Sequence, residues 1–587
     1  MTLSSTVALA PSKRQLIHHD IVLIVSMLVL AACGLIYEYL LAHYAGRIIG
    51  AVETTIYAMI GVMIVSMGLG AFSAKWIKNP FEGMAWLELL IGLLGSVAVL
   101  IMASMMALSF TLPHWLADMY GLHPSVYTQG GMVESLKAVA SFTPFVIGFV
   151  LGFMVGMEIP LIARIREHIH QRHLKNNTGT IYGADYIGAG IGAAIWVLIC
   201  LKLPIMTAAV ATASANLIIG LIFLKYYQSE MQRKKRLWAA NILMLFVILL
   251  LGYTGSNWVE KMNYTLFEDS PIYTKVTPYQ HLTVTERIVG HGLPKVTSLY
   301  INGRLQFSSN DEHVYHSYLT YPAMVASARH DNILIIGGGD GLAVRDVLKW
   351  SPKAVTLIDL DQDMIEMFQG KSENLPPQLA KTLVSLNANA LNDKKVNIIL
   401  GDAFIEIGKL VSQKKIFDTI IVDLPDPSHP NLNKLYSDMF YSRVKEVLNG
   451  DGVVVIQSTS PYHAKQAFIS VGKTLNSVGL KTEQYHTNVS TFGDWGWTIA
   501  TKYGRSVKER IEMTEYLPVK DPLISKQSML AAFVFMPNFY NNMGQVKINR
   551  IGTNTIYQYH QEAWNKFDGV FYSNPESIGN GASNDAN

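Results

Sequence analysis

The sequence predicts a multi-pass α-helical membrane domain, then a small β domain, then a doubly wound α/β domain. Three observations lead there. Through the first 255 residues, apolar stretches about twenty residues long recur, each long enough to span a bilayer. Beyond residue 330, short and nearly continuous apolar runs alternate with helical patterns, as parallel strands covered on both faces do. Four of those runs deliver an acid at or just past their C-terminal ends: Asp340 in "ILIIGGGDG", Asp359 ending "VTLID", Asp402 in "VNIILGD" and Asp423 ending "FDTIIVD". In a doubly wound sheet those ends line one cleft, and an acid-rich cleft suits a cationic ligand.

Seven stretches, at roughly 20–42, 52–74, 84–108, 139–163, 182–201, 204–226 and 237–254, are the expected spans of a membrane domain covering 1–255. The first is too long for a signal peptide and lacks a small-residue cleavage site. Basic residues fall in alternate loops: Lys13 and Arg14; Lys75 and Lys78; Arg164, Arg166, Arg172 and Lys175; Lys225 and the run Arg233 to Arg236. The stretch 109–136 has none. The positive-inside rule then puts the N-terminus inside and, after seven crossings, the rest of the chain outside.

Two acids lie within or at the edge of spans, Glu158 in "GFMVGMEIP" and Asp185 in "IYGADYIGAGIGAA". A carboxylate at that depth is costly, so both are functional candidates. The plainer readings are a helix cap before Pro160 and an interfacial position. Gly183, Ala184, Gly188 and Gly192 form a small-residue stripe suited to close helix contact. The formal net charge of +3 reflects the basic loops and implies no nucleic-acid partner. Both cysteines, Cys33 and Cys200, sit in apolar stretches, and no CxxC or His-rich cluster suggests a structural zinc site.

Residues 256–312 read as a small β domain of short strands, "SPIYTKVTPYQHLTVTERI" and "TSLYINGRLQFSSN", with turns at 290–294 and at Asn302-Gly303. A helix over 311–329 opens on Asn310 or Asp311. The α/β domain, 313–545, then alternates: strand 332–336, helix 342–350, strand 354–358, helix 361–369, strand 396–400, helix 403–412, strand 417–422, helix 437–448, strand 451–457, helix 462–477 and further strands. Residues 546–587 read as a polar, partly disordered tail, the last ten residues most of all.

A glycine turn after the first strand, with an acid about twenty residues on, suits a nucleoside ligand. The turn is GGGDG rather than GxGxxG, and Asp340 within it would repel a pyrophosphate. A dinucleotide is disfavoured on that ground, and a nucleoside carrying positive charge, such as a sulfonium, is favoured. The domain is thus Rossmann-like and of the methyltransferase type. Asp426, in "VDLPDPSHP", lies on the loop leaving the fourth strand, over the same cleft.

The ordered set "YQHLTVTE", "LYINGRLQFSSNDEHVYHSYLTYPAM", "ILIIGGGDGLAVRDVLK", "IDLDQDMI", "GDAF", "VDLPDP" and "LYSDMFY" resembles spermidine synthase, a polyamine aminopropyltransferase, over roughly 270–500. The apolar half is similar to that of a bacterial branch with a multi-spanning segment fused to the synthase. The resemblance implies transfer of the aminopropyl group of decarboxylated S-adenosylmethionine, a co-substrate, to putrescine, giving spermidine and 5′-methylthioadenosine. It implies that Gln280 and Asp359 hold the ribose, that Asp402 and Ala403 read the adenine, and that Pro430 lies against the nucleoside. Asp340 would bind the aminopropyl ammonium. Tyr315, His316, Gln306 and Asp426 would hold the diamine, and Asp423 would accept its proton.

The chemistry needs such groups. An amine with a lysine-like pKa of about 10.4 loses about 4.6 kcal/mol in freeing its lone pair at pH 7, and a positioned carboxylate lowers that barrier. Asp340 would also repel the carboxylate of ordinary adenosylmethionine. Three positions depart from the family pattern: Asp359 for the usual Glu, "DPSHP" with Ser428 and His429 for Val-Gly before the proline, and Phe492 for a tyrosine. Trp495 and Trp497 are pocket candidates, with a core role the plainer reading.

The rival functions are an adenosylmethionine-dependent methyltransferase on the same sheet and a non-enzymatic polyamine sensor or transporter. Family analogy implies a homodimer. The cytosolic donor places the catalytic domain in the cytoplasm under the inner (cell) membrane, against the loop charges.

Overall fold

The structure, a computed structural model, describes residues 13–49, 52–120, 131–265, 267, 269–290, 294–541 and 543–570. The chain divides into two compact units, 1–268 and 269–587.

Among the described residues the first unit has helices and no strand: α1 Lys13–Ile49, α2 Val52–Ser73, α3 Pro80–Met119, α4 Gly131–Gly156, α5 Glu158–His170, α6 Asn177–Leu198, α7 Ile205–Tyr227 and α8 Lys234–Tyr264. Seven segments among the described residues are long and apolar enough to cross a membrane. The fourth of them, Ser135–His170, is two helices broken at Met157. Pro160 explains the break, because it has no N–H to donate to Gly156 and its ring clashes with that carbonyl. Met157 occupies the cap position, so the capping role considered for Glu158 does not apply: Glu158 is the first residue of α5 and is buried. The stripe on α6 packs against α1. A Cβ on Gly188 would stand 2.2 Å from the Leu28 carbonyl oxygen and one on Gly192 2.5 Å from that of Ala32, whereas Gly183 faces open space. The stretch 109–136, which has no Lys or Arg, lies partly outside the described residues.

The second unit starts with a four-stranded antiparallel meander, β1 Ser270–Val276, β2 His281–Arg287, β3 Val296–Ile301 and β4 Arg304–Ser308, in that order. It begins later than the expected 256 because α8 continues to Tyr264. Asn302 and Gly303 both have positive φ, 52° and 78°, as a two-residue type I′ hairpin requires. Of the expected 290–294 turn, 291–293 lie outside the described residues.

The α/β sheet follows: α9 Glu312–Ala326, β5 Asn332–Gly337, α10 Leu342–Leu348, β6 Ala354–Asp359, α11 Gln362–Phe368, α12 Pro377–Leu386, β7 Val396–Leu400, α13 Ala403–Ser412, β8 Phe417–Asp423, α14 Pro430–Asn433, α15 Asp438–Val447, β9 Leu448–Gln457, α16 Lys465–Ser477, β10 Lys481–Val489 and β11 Gly493–Thr501. The strand order is β10-β11-β9-β8-β5-β6-β7, with β9 to β7 parallel and the two last strands antiparallel. Ile333 and Ile335 face one apolar core and Leu334 and Ile336 the other, which is why that strand reads as unbroken hydrophobicity. Helix α12 was not read from the sequence; its Leu379 and Leu383, one turn apart, are buried.

Beyond the sheet come α17 Val507–Met513, α18 Lys526–Ala532 and α19 Thr555–Val570. The last corrects the expectation of a polar tail for residues 555–570. Ile556 is fully buried, and Tyr559 packs on the same core. The expected disorder of the final ten residues lies outside the described residues.

Candidate active site

Strands β8, β5, β6 and β7 are neighbours, so the acids at their C-terminal ends share one edge of the sheet. The turn after β5 makes room for them. Gly337 is in register with Asp423 and has φ +80°; a Cβ there would lie 2.1 Å from the Asp423 carbonyl oxygen. A Cβ on Gly338 would stand 3.3 Å from Asp423 Oδ2, and one on Gly339 2.8 Å from Asp359 Oδ2. Two carboxylates therefore border the bare floor of the cleft, and only glycine fits between them.

Asp423 accepts a hydrogen bond from the Tyr315 hydroxyl to Oδ1 at 2.8 Å, and His316 Nε2 lies 3.9 Å from Oδ2. Burial raises its pKa, against the opposing pull of the His316 charge and the Tyr315 hydroxyl. His316 is 2% exposed. Burial alone would lower its pKa, but its hydrogen bond to Glu312, with the charges of Glu312, Asp340 and Asp423, outweighs that and lifts it to about 9. At neutral pH a cation thus sits beside Asp423. Glu312 is in turn gripped by Arg345, at 2.7 and 3.1 Å. Burial pushes its pKa up, yet His316 and Arg345 hold it at about 2.

That buried triad yields a stability prediction. The His316 contribution is fully present below its ordinary 6.5 and fades as pH rises through about 9. The Glu312 contribution is present above 4.5 and fades as pH falls through about 2. Stability from the triad is therefore greatest between those ordinary values. Glu312→Gln leaves buried cations without their partner and should cost roughly 3 kcal/mol in chemical denaturation at pH 6. A loss near zero would mean that the triad is not assembled.

Asp340 accepts the Leu342 backbone N–H at 2.9 Å and is half-buried. Burial raises its pKa; His316 opposes and Asp423 adds, leaving it at about 6. Asp359, also half-buried, accepts the Asp361 N–H at 2.9 Å, and burial likewise brings it to about 6. Gln280, on the β1–β2 turn, donates to Asp361 Oδ2 at 2.7 Å rather than to Asp359. Thr277 bonds the same oxygen at 2.8 Å, so Asp361 pins that turn to the end of β6.

Asp402 caps α13 through the Phe404 N–H and meets Lys434 Nζ at 2.5 Å, so it is a paired acid and not a free anion of the cleft. Ala403 begins α13, and Pro430 begins α14. Gln306 is the extra residue of a β-bulge between β3 and β4, and its amide reaches the Arg304 and Leu305 carbonyls. Asp426 is not simply solvated over the cleft: Gln457 donates to it at 2.8 Å, and His560 Nε2 of α19 lies 3.2 Å from Oδ2. Trp497 is fully buried among Tyr315, Tyr318 and Tyr485, and Trp495 is nearly so, packed on Phe492. Phe492 in turn faces the Tyr315 ring.

Residues 312–510 match the spermine/spermidine synthase domain. A polyamine aminopropyltransferase of Shewanella oneidensis is 49% identical over 551 residues, 94% of this chain and 96% of that protein. The chain belongs to the polyamine aminopropyltransferase family. A second relative, polyamine aminopropyltransferase 2 of Ralstonia nicotianae, is 31% identical over 92% of this chain and 98% of its own. A solved spermidine synthase from Thermotoga maritima aligns with 47% of this chain and 88% of its own, at 23% identity and a TM-score of 0.38.

This aminopropyltransferase takes decarboxylated adenosylmethionine as co-substrate. The methyltransferase and non-enzymatic readings give way to that membership. Sequence reasoning missed Glu312, Arg345, Asp361, Lys434, Gln457 and His560. An acid and a histidine four apart at 312 and 316 carried a helical-pair signal. The other partners come from distant segments with no fixed spacing.

Proposed function

We propose that the cleft joins decarboxylated adenosylmethionine to putrescine, giving spermidine and 5′-methylthioadenosine. Asp359 and Gln280 hold the ribose, Asp402 and Ala403 face the adenine, and Pro430 packs on the nucleoside. Asp340 takes the aminopropyl ammonium. Tyr315, His316, Gln306 and Asp426 orient the diamine. The acceptor nitrogen gives its lone pair to the carbon beside the sulfonium, the C–S pair leaves with sulfur as a neutral thioether, and the nitrogen's proton passes to Asp423. The carrying observation is Asp423 itself: Tyr315 fixes Oδ1, while Oδ2 stands over Gly338, 3.3 Å from where a Cβ there would lie. Positioning is the larger part of the catalysis, since both reactants are cations that must be held at near-attack distance.

The test is the purified full chain with decarboxylated adenosylmethionine and a panel of diamines. Putrescine should give the highest kcat/KM; absence of aminopropyl transfer to any amine overturns the reading. His560 should tune the choice of amine. Its ring competes with the substrate ammonium for Asp426 Oδ2, so His560→Ala should change KM for the amine several-fold and leave KM for the donor within twofold.

The apolar half is the membrane anchor, with seven spans in the inner (cell) membrane, and the catalytic unit faces the cytoplasm as a homodimer. Substrate supply supports that side, because a nucleoside donor is made in the cytosol. A reporter fused after residue 587 should be active only in its cytoplasmic form.

A further inference from the structure

The helix bundle holds a group of polar side chains that no part of the aminopropyl transfer uses. Glu88 on α3, Glu158 at the start of α5, and Asn216 on α7 are each buried to 2% exposure or less, and Tyr37 on α1 is fully buried. Asn216 Nδ2 donates to Glu88 Oε2 at 2.9 Å. Tyr37 interacts electrostatically with Glu88, and Glu158 with Glu88 and Asp185. Four helices thus bring one polar cluster together.

The local sequence builds it. Glu88, Gly92 and Gly95 are spaced four and three apart, on one face of α3. A Cβ on Gly95 would stand 2.3 Å from the Tyr37 ring, so that glycine makes room for it, whereas one on Gly92 would stand 2.3 Å from Met244 Cε, with Asn216 Cβ in ordinary contact at 3.4 Å. Glu158 lies eight residues before Arg166 and Asn216 nine before Lys225. At about 1.5 Å per residue Asn216 sits roughly 14 Å from the basic end of α7, near the middle of a ~30 Å apolar layer, and Glu158, with Arg164 six residues on, lies nearer that layer's edge.

Four atoms of the cluster have no hydrogen-bond partner among the described residues: Glu88 Oε1, Glu158 Oε2, Asn216 Oδ1 and the Tyr37 hydroxyl. Three of them are acceptors. An unmatched polar atom at this depth costs several kcal/mol, so the set calls for a donor. A primary ammonium brings three N–H donors and a positive charge. No group of three His, Cys, Asp or Glu among the described residues gathers at metal spacing.

We propose that the bundle contains a second cation site, formed by Glu88, Glu158, Asn216 and Tyr37, that takes the ammonium end of an aliphatic amine. It depends on the polyamine reading only for the choice of probe. The measurement is binding of tritiated spermidine and putrescine to the full chain in lipid nanodiscs. Two classes of site are expected. Asp423→Asn with Asp426→Asn should abolish the cleft class and leave the other, which Glu88→Gln with Glu158→Gln should weaken at least about tenfold. In the otherwise native chain, that second pair should leave aminopropyl transfer unchanged. Tyr37→Phe should weaken the same class about threefold and serves where the double variant fails to fold. The proposal is overturned by a single class lost with the cleft variants, by amine binding untouched in the bundle variants, or by proton uptake there without amine dependence. Failure of the catalytic reading would appear separately, as transfer surviving the cleft variants.

Discussion

Asp423→Asn should lower kcat by about a thousandfold while KM for the donor moves little, as expected for removal of a general base. The asparagine keeps the size and can still accept the Tyr315 hydroxyl, so the loss would be of proton acceptance alone. Without the carboxylate, the acceptor must arrive already deprotonated, at a cost of about 4.6 kcal/mol at neutral pH. The variant should therefore recover rate as pH rises toward the amine's own pKa, whereas the native enzyme should not need that rise. The native profile should instead climb through about pH 6, where Asp340 and Asp359 lose their protons and the cleft becomes a trap for cations. Rapid-mix kinetics over pH 5 to 10 would read both. A variant with native kcat at pH 7.5 would remove Asp423 from the mechanism.

Asp340→Asn should move two quantities in opposite directions. Losing a charged partner for the aminopropyl ammonium should lower kcat/KM for the donor by ~10–100-fold, and discrimination against intact adenosylmethionine should shrink because the repelling charge is gone. The fold, however, should gain. Burial raises the folded pKa of Asp340 from 3.8 to about 6, so its contribution to stability is present below 3.8 and is lost as pH rises through about 6. At pH 7.5 the ionised acid strains the empty cleft, and the asparagine should recover about 1–2 kcal/mol after solvent screening, read as a higher Tm. A variant both slower and less stable would show that Asp340 serves packing and not charge. The same reasoning predicts that donor binding stabilises the native protein more as pH rises from 5 to 8.

The apolar runs and the acids that end them were legible because they follow local rules. A strand buried on both faces must be apolar throughout, and chain order carries Asp340, Asp359, Asp402 and Asp423 to the same sheet edge. Less visible was what those acids do to one another. Asp402 reads like its neighbours, yet Lys434, thirty-two positions on, neutralises it. Gln280 bonds Asp361 and not Asp359, because a turn from the meander docks at the end of β6. His560 arrives from a segment that reads as polar tail, because α19 buries only one narrow side through Ile556 and Tyr559.

In the helical unit, the number of long apolar helices, seven among the described residues, followed from run length alone. The break at Met157 was half written in Pro160. Glu88 was overlooked: one acid in "MAWLELLIG" looks like a helix-end residue until α1, α5 and α7 close around it.

Sequence by itself determined the order of the units, the strand ends that carry acids, and the kind of chemistry a cationic nucleoside and a diamine would demand there. These depend on periodicity and on residue type, which neighbours in the chain decide. Only the tertiary structure decided which acids remain free, which are paired, and which are pushed toward pH 6, because those properties depend on burial and on charges within a few ångströms. Such contacts are made between segments as distant as residues 426 and 560, and no local pattern encodes them.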